Sequence, residues 1–272
     1  MMATYDTFTT LAVDEADGVL TCRFNRPERR NAVDDVMHKE LVRFFRAVAD
    51  DESLRVIVLT GNGRAFCAGG DVVHMDDVAG AHDEGHSGLF RDAADLFRAI
   101  LSVRAPIIAA VNGDAIGLGA SLAVLSDIVI MSETARIGDP HLRVGLVPGD
   151  GALIAWPMLL SLNVAKELLF TGRLLGADEA ARLGLANRVV DADSLMDEAY
   201  TMATNIAQVP PHALRFTKRI LNKVLEERAT YALDLGLAFE AVTLGTTDHK
   251  NAVAAFAARS ERLKPTATAS GD

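Results

Sequence analysis

Two glycine-bearing stretches hold the backbone groups best able to do chemistry in this chain. They are Gly61-Asn62-Gly63-Arg64-Ala65-Phe66-Cys67-Ala68-Gly69-Gly70-Asp71 and Asn112-Gly113-Asp114-Ala115-Ile116-Gly117-Leu118-Gly119-Ala120-Ser121. Each follows a β-branched apolar run, Val56-Ile57-Val58-Leu59 or Ile107-Ile108-Ala109-Ala110-Val111, and precedes a helix-like segment. A strand that runs into glycines and then a helix leaves backbone N–H groups unpaired and aimed into one space. Such groups bind an anion, or an oxygen that becomes anionic during reaction. The same glycines also serve tight turns and close packing. Neither stretch is a nucleotide loop: the first lacks a Gly-Lys-Ser/Thr ending and the second lacks the third glycine.

The elements that would position these stretches alternate. Val19–Phe24 has period-two alternation after the Asp17-Gly18 turn, and Asn25-Arg26-Pro27 breaks it. From about Val33 to Ala49, Val36, Leu41, Phe44, Phe45 and Val48 recur at helical spacing. Arg55–Thr60 reads as a buried strand. Val72–Ser87 reads as a loop over a site, followed by a helix over Leu89–Leu101. Ile107–Val111, a helix through Leu122–Leu125 and a strand at Ile128–Met131 continue the alternation, which predicts an α/β architecture with parallel pairing. After about Asp193 strand signals stop. Helices follow, broken near Pro210-Pro211 and Thr246-Thr247. The last, Asp248–Arg262, is read as capped by Asp248, with Val253, Phe256 and Ala257 on one face. We divide the chain into a core at 1–195, a helical region at 196–264 and a disordered tail at 265–272.

Composition narrows the function classes. The chain has 272 residues, 50% of them hydrophobic, and a formal net charge of −10. That charge argues against a general nucleic-acid surface. There is no apolar run long enough to span a membrane and no signal-peptide pattern at the N-terminus. Two cysteines, Cys22 and Cys67, are too few for a disulfide framework or a zinc site and fit a cytoplasmic protein.

The order and spacing of several segments resemble the enoyl-CoA hydratase/isomerase (crotonase) superfamily. They are Asn25-Arg26-Pro27 with Arg30-Asn31-Ala32, Ala65–Asp71, Val111-Asn112-Gly113, Ser126-Asp127, Val144–Gly149, Thr171-Gly172-Arg173 and Ala180–Ala186. The resemblance runs from about Leu20 to Lys264. It implies a crotonase-like spiral of ββα turns with a C-terminal helical trimerisation layer, assembled as a homotrimer or a hexamer of two trimers. It also implies an acyl-coenzyme A thioester as substrate, with no separate cofactor and no metal. By position, the N–H groups of Gly70 and Leu118 would form an oxyanion hole for the thioester oxygen. Arg26, Arg30 and Arg64 would face the coenzyme A phosphates, although Arg30 could equally be a solvated surface charge. Ala68 would meet adenine through its backbone. Asp71 would order the loop beside the ligand, and His74 would line the acyl pocket.

This chain departs from the family pattern at the two glutamates that hydratases of the family use as base and acid. Ser121 and His141 stand in their places. A serine is a poor base unless activated, whereas an imidazole suits proton transfer at neutral pH. Asp150, on the turn Pro148-Gly149-Asp150-Gly151, lies where relatives place the carboxylate for isomerase, dehalogenase or C–C bond chemistry. A His141/Asp150 pair could shuttle a proton or activate water. The alternatives are a helix cap at Asp150 and a hydrogen-bonded wall residue at His141. Three readings follow: an acyl-CoA lyase of the hydratase type; an isomerase or a thioester or β-diketone hydrolase; and a non-catalytic CoA-ester binder.

Overall fold

The computed structural model describes residues 7–71 and 84–262. Of the loop expected over Val72–Ser87, residues 72–83, with His74, lie outside the described residues, as does the expected tail, while residues 84–87 belong instead to the helix expected to begin at Leu89. The chain opens with β1 (Leu11–Ala16), antiparallel to β2 (Val19–Phe24), and then enters helix α1 (Asp35–Ala49). Asp34 caps α1, its side chain accepting from the Met37 N–H at 2.9 Å. Met37, Leu41, Phe44, Phe45 and Val48 form the buried face, while Val36, expected inside, is half exposed. The apolar stripe is centred one residue later than the spacing suggested, because Met37 lies a full turn before Leu41 and Val36 sits at the stripe's edge.

Three ββα turns follow, and each divides its two strands between two sheets. The first is β3 (Val56–Gly61), β4 (Ala65–Cys67) and α2 (Glu84–Ser102); the second is β5 (Ile107–Val111), β6 (Asp114–Ile116) and α3 (Leu118–Val124). The third is β7 (Ile128–Ser132), β8 (Arg136–Gly138) and, after a 3-10 turn at His141–Val144, α4 (Ala152–Leu159). The long strands build the larger sheet in the order β1-β2-β3-β5-β7-β10, where β10 is Arg188–Val190. The short strands stack as β4-β6-β8-β9, where β9 is Leu175–Gly176. Pairing is parallel from β2 through β10 and from β4 through β8. α5 (Leu162–Thr171) and α6 (Ala177–Leu183) flank β9.

The uninterrupted apolar runs in β3 and β5 follow from burial on both faces. Ile57, Leu59, Ile107, Ala109 and Val111 point into the main core. Val56, Val58, Ile108 and Ala110 instead meet Leu195, Ala199 and Ala203 of α7 (Leu195–Ala207). After α7 come α8 (Pro211–Leu244) and α9 (Thr247–Arg262), so the described chain is helical between Leu195 and Arg262 and breaks where prolines and threonines were read. Leu233 and Leu237 of α8 belong to the main core. Buried Lys218 of α8 bonds the Ala105 carbonyl at 2.8 Å and Asp127 at 2.6 Å, and Asp127 also accepts from the Ile107 N–H at 2.7 Å. The cap of α9 is Thr246, whose Oγ1 accepts from the His249 N–H at 3.2 Å; Asp248 lies inside the first turn. Val253 is buried, whereas the side chains of Phe256 and Ala257 lie outside the described set. No described helix is long and apolar enough to cross a membrane.

One buried side chain holds the first glycine stretch in shape. Asn31, fully buried and in the left-handed region at φ 56°, donates to the carbonyls of Asn62 (3.0 Å), Ala65 (2.8 Å) and Phe66 (3.2 Å) and accepts from the Arg26 N–H at 2.9 Å. Asn31→Ala strips partners from several buried polar groups and places a Cβ without a local hydrogen bond in a left-handed conformation. We expect a loss of about 3 kcal/mol in urea unfolding. A loss below about 1 kcal/mol would show that the loop does not rely on it.

Candidate functional site

The short parallel strands β4, β6 and β8 lie side by side, so the segments leaving their C-terminal ends converge. Those segments are Ala68-Gly69-Gly70, Gly117-Leu118 and Asp139-Pro140-His141. Ligand sites in parallel α/β sheets form at this end of the strands. Two contacts set the spacing between the first two segments. A Cβ on Gly119 would stand 2.2 Å from the Cys67 carbonyl oxygen, and one on Gly69, which lies at φ +85°, would stand 2.8 Å from the Ile116 carbonyl oxygen. Glycine is therefore required for α3 to reach β4.

The hydrogen bonding at Gly70 determines where its N–H points. Val33 and Gly70 form an isolated parallel bridge, in which Val33 N–H donates to Gly69 O (2.8 Å) and Asp71 N–H donates to Val33 O (2.9 Å). The N–H of Gly70 thus faces away from Val33. Leu118 is the first residue of α3, where an N–H has no intrahelical acceptor. Among the described residues neither N–H has a backbone or side-chain acceptor, and both residues are half-buried and therefore reachable.

Beside these donors lies a buried polar network. A Cβ on Gly117 would meet the His141 ring at 3.2 Å, which places the imidazole against the residue that precedes Leu118. His141 Nδ1 bonds Asp139 Oδ1 at 2.6 Å, and His141 Nε2 stands 3.8 Å from Asp150 Oδ2. Ser121 Oγ donates to Asp150 Oδ1 at 3.1 Å. Ser121 therefore orients a carboxylate, and among the described residues its hydroxyl has no imidazole as a hydrogen-bond partner. Asp150 stands one residue before Gly151, the N-cap of α4, and the Ala152 N–H of the first turn acts on its carboxylate.

Glu240 of α8 completes the cluster, and sequence reasoning missed it. A Cβ on Gly149 would stand 2.6 Å from Glu240 Oε2, so this carboxyl reaches the turn that carries Asp150. Burial raises Glu240 to about 8, helped by the charges of Asp150 and Asp139 and opposed by His141. Burial also raises Asp150, against the charge of His141. For His141 burial works the other way, but Asp139, Asp150 and Glu240 together outweigh it and raise the imidazole to about 10. At neutral pH the site thus holds a protonated imidazole together with a Glu240 carboxyl that is largely protonated. The Cys67 thiol, pushed by burial to about 12, is no nucleophile.

The residues expected around the coenzyme separate into two groups. Arg26 turns inward, to Asp34 at 2.8 Å, to Asp71 at 3.4 Å and to the Ala32 carbonyl. Asp71 is buried and also pairs with Arg29 at 2.7 Å. Arg26 and Asp71 are spent on each other and on their loop, which leaves little for a phosphate. Arg30 and Arg64 are exposed and form no ion pair among the described residues. The Ala68 N–H donates to the Arg30 carbonyl at 3.1 Å, so the part of its backbone left for a ligand is its carbonyl. Asp139, His141 and Asp150 have donor atoms within 4.8 Å of one another, the spacing of a cation cluster. Both imidazole nitrogens already face carboxylates, an arrangement suited to moving protons.

Repeated ββα turns closed by helices define the crotonase class of fold. An enoyl-CoA hydratase/isomerase family model matches residues 14–267. A probable enoyl-CoA hydratase of Mycobacterium bovis is 34% identical over 259 residues, covering 92% of this chain and 95% of that protein. Among solved structures, an enoyl-CoA hydratase/isomerase from Mycobacterium paratuberculosis superposes with a TM-score of 0.88 at 38% identity, covering 92% of this chain and 100% of that one. A β-diketone hydrolase from the cyanobacterium Anabaena superposes at 0.82 with 29% identity, covering 89% and 96%. The chain belongs to the enoyl-CoA hydratase/isomerase family.

The raised groups make stability depend on pH in a definite direction. His141 is raised from 6.5 to about 10, so its contribution is complete below pH 6.5 and is lost as pH climbs toward 10. Glu240 is raised from 4.5 to about 8, so its contribution fades between those values. We expect the melting temperature to fall as pH rises from 6.5 to 10. In Glu240→Gln, whose side chain stays neutral, the fall below pH 8 should be shallower. A native melting temperature that is level across this range would contradict the assignment.

Proposed function

We propose that this chain is an acyl-CoA-processing enzyme in which the N–H groups of Gly70 and Leu118 hold the thioester carbonyl oxygen while the His141–Asp150 pair moves the proton. The observation that carries the reading is the His141 ring against Gly117, with Asp150 3.8 Å from its Nε2. Removing a proton from the carbon beside a thioester pushes negative charge onto the carbonyl oxygen. Two fixed donors stabilise that charge, each worth about 3–4 kcal/mol of barrier. Ionised Asp150, made more basic by burial, accepts the proton. Protonated His141, beside the oxygen, adds positive charge and returns a proton at the end of the sequence. One such pair suits double-bond isomerisation or hydration of an enoyl thioester without the paired glutamates.

A second reading is hydrolysis of a β-dicarbonyl, with His141 and Asp150 activating water. Its support is the imidazole–carboxylate pair together with the likeness to the Anabaena β-diketone hydrolase. In both readings the coenzyme A ester or dicarbonyl is substrate, and no cofactor or metal takes part. We place the enzyme in the cytoplasm, in keeping with two buried free thiols.

His141→Ala is expected to lower turnover of crotonyl-CoA, or of the best thioester in an acyl-CoA panel, by about a hundredfold or more while the ester still binds. Unchanged turnover would remove the acid–base role, and binding without turnover by the native chain would favour the binding-protein reading. Mass-spectrometric products decide the reaction: a hydroxyacyl ester for hydration, an isomeric ester for a double-bond shift, a free acid for hydrolysis.

We also propose assembly as a homotrimer or a pair of stacked trimers through α8. Its Phe216, Ile220, Val224, Tyr231, Leu235 and Phe239 form an exposed stripe on the single chain, more apolar surface than monomers ordinarily leave in water. Light scattering should return three or six times the 29.0 kDa chain mass. A monomer at micromolar concentration would contradict this.

A further inference from the structure

We propose that His249 is a positioning residue for the His141–Asp150 pair, acting through a clasp that the C-terminal helices close on the segment joining the two. The inference rests on the reading above, in which that pair is the proton-transfer group. His141 and Asp150 sit at opposite ends of one irregular segment. It begins with the 3-10 turn His141–Val144, passes through Gly145 at φ +71° and ends on the turn at Gly149. Inside it, Leu146 N–H donates to the His141 carbonyl at 2.9 Å. A segment without regular structure does not fix the separation of its own ends, so the 3.8 Å between the two side chains must be set from outside.

Three contacts from α8 and α9 do this. His249 Nδ1 donates to the Val144 carbonyl at 2.6 Å. Val147 N–H donates to Thr243 Oγ1 at 3.2 Å. Gly149 lies against Gly236 so closely that a Cβ on Gly149 would stand 2.9 Å from the Gly236 carbonyl oxygen. His249 is fully buried, and its backbone packs on Gly145, whose added Cβ would meet the His249 Cα at 3.0 Å. Its Nε2 has no partner among the described residues. A carbonyl only accepts, so Nδ1 carries the hydrogen. Nε2 is left as a buried polar atom without a partner among the described residues, a cost that an apolar residue here would avoid. What the imidazole adds over such a residue is its grip on Val144.

The test compares three substitutions in the full-length protein. Asn presents an amide nitrogen near the place of Nδ1, Gln presents one near Nε2, and Leu presents none. With 15N-histidine labelling, the His141 imidazole titration is read without substrate. His249→Leu and His249→Gln should move its midpoint down from about 10 toward the ordinary value near ~6.5 by about one pH unit or more. They should also lower kcat about tenfold or more with KM little changed. His249→Asn should keep the native midpoint and kcat within about threefold. If His249→Leu fails to fold, Thr243→Val loosens the same clasp and should shift the midpoint in the same direction. A native His141 titration in His249→Leu, or in Thr243→Val where the leucine variant does not fold, would overturn the proposal. So would an asparagine variant no better than the leucine one. Because the titration needs no turnover, an inactive His141 role would defeat the mechanism above while this arm still reports on the clasp.

Discussion

The structure depends on backbone approaching backbone where helix α3 meets strand β4. Gly119 packs on the Cys67 carbonyl with no room for a side chain, and Gly69 turns over the Ile116 carbonyl in a left-handed conformation. These contacts carry the start of α3 to the end of β4 and bring Gly69 beside Ile116 and Gly117. The third turn repeats the geometry and delivers His141 against Gly117. Three successive copies of one local pattern thus supply three walls of one site, and the stacking of β4, β6 and β8 makes them meet.

Charge gives the site its proposed character. A hydratase-type pair of glutamates would place two carboxylates around the substrate; here an imidazole is enclosed by Asp139, Asp150 and Glu240. Enclosure favours neutral forms of the carboxyls, while their mutual field favours the charged form of the imidazole. Glu240, raised to about 8, therefore gives up its proton near neutrality. Ser121 bonds the carboxylate of Asp150. Asp150 is thus held beside the imidazole from α3, through Ser121, as well as from the turn before α4, on which the C-terminal helices close.

Much of the fold was legible because its signals are local. The apolar runs of β3, β5 and β7, the breaks at Pro210-Pro211 and Thr246-Thr247, and the glycines themselves are written in consecutive residues. The family resemblance located Ser121, His141 and Asp150. Contacts made by distant segments were not legible. Glu240 lies far along the chain from Asp150, on a helix read only as part of the C-terminal helical region, and the packing of Gly236 on Gly149 brings it in. Arg26 and Asp71 have the residue types of a ligand contact, yet their charges meet each other. Nothing in a linear pattern says whether an arginine faces solvent, a phosphate or a neighbouring carboxylate.

The central claim is that two backbone N–H groups grip one carbonyl oxygen, and infrared spectroscopy of a bound thioester labelled with 13C at its carbonyl tests it most directly. Two strong donors weaken the carbonyl bond, so the labelled stretch should move to lower frequency on binding to the native protein. It should return most of the way in Gly119→Ala, where the added methyl pushes α3 off the Cys67 carbonyl. A bound ester whose carbonyl vibrates as it does in water, in both proteins, would contradict the account.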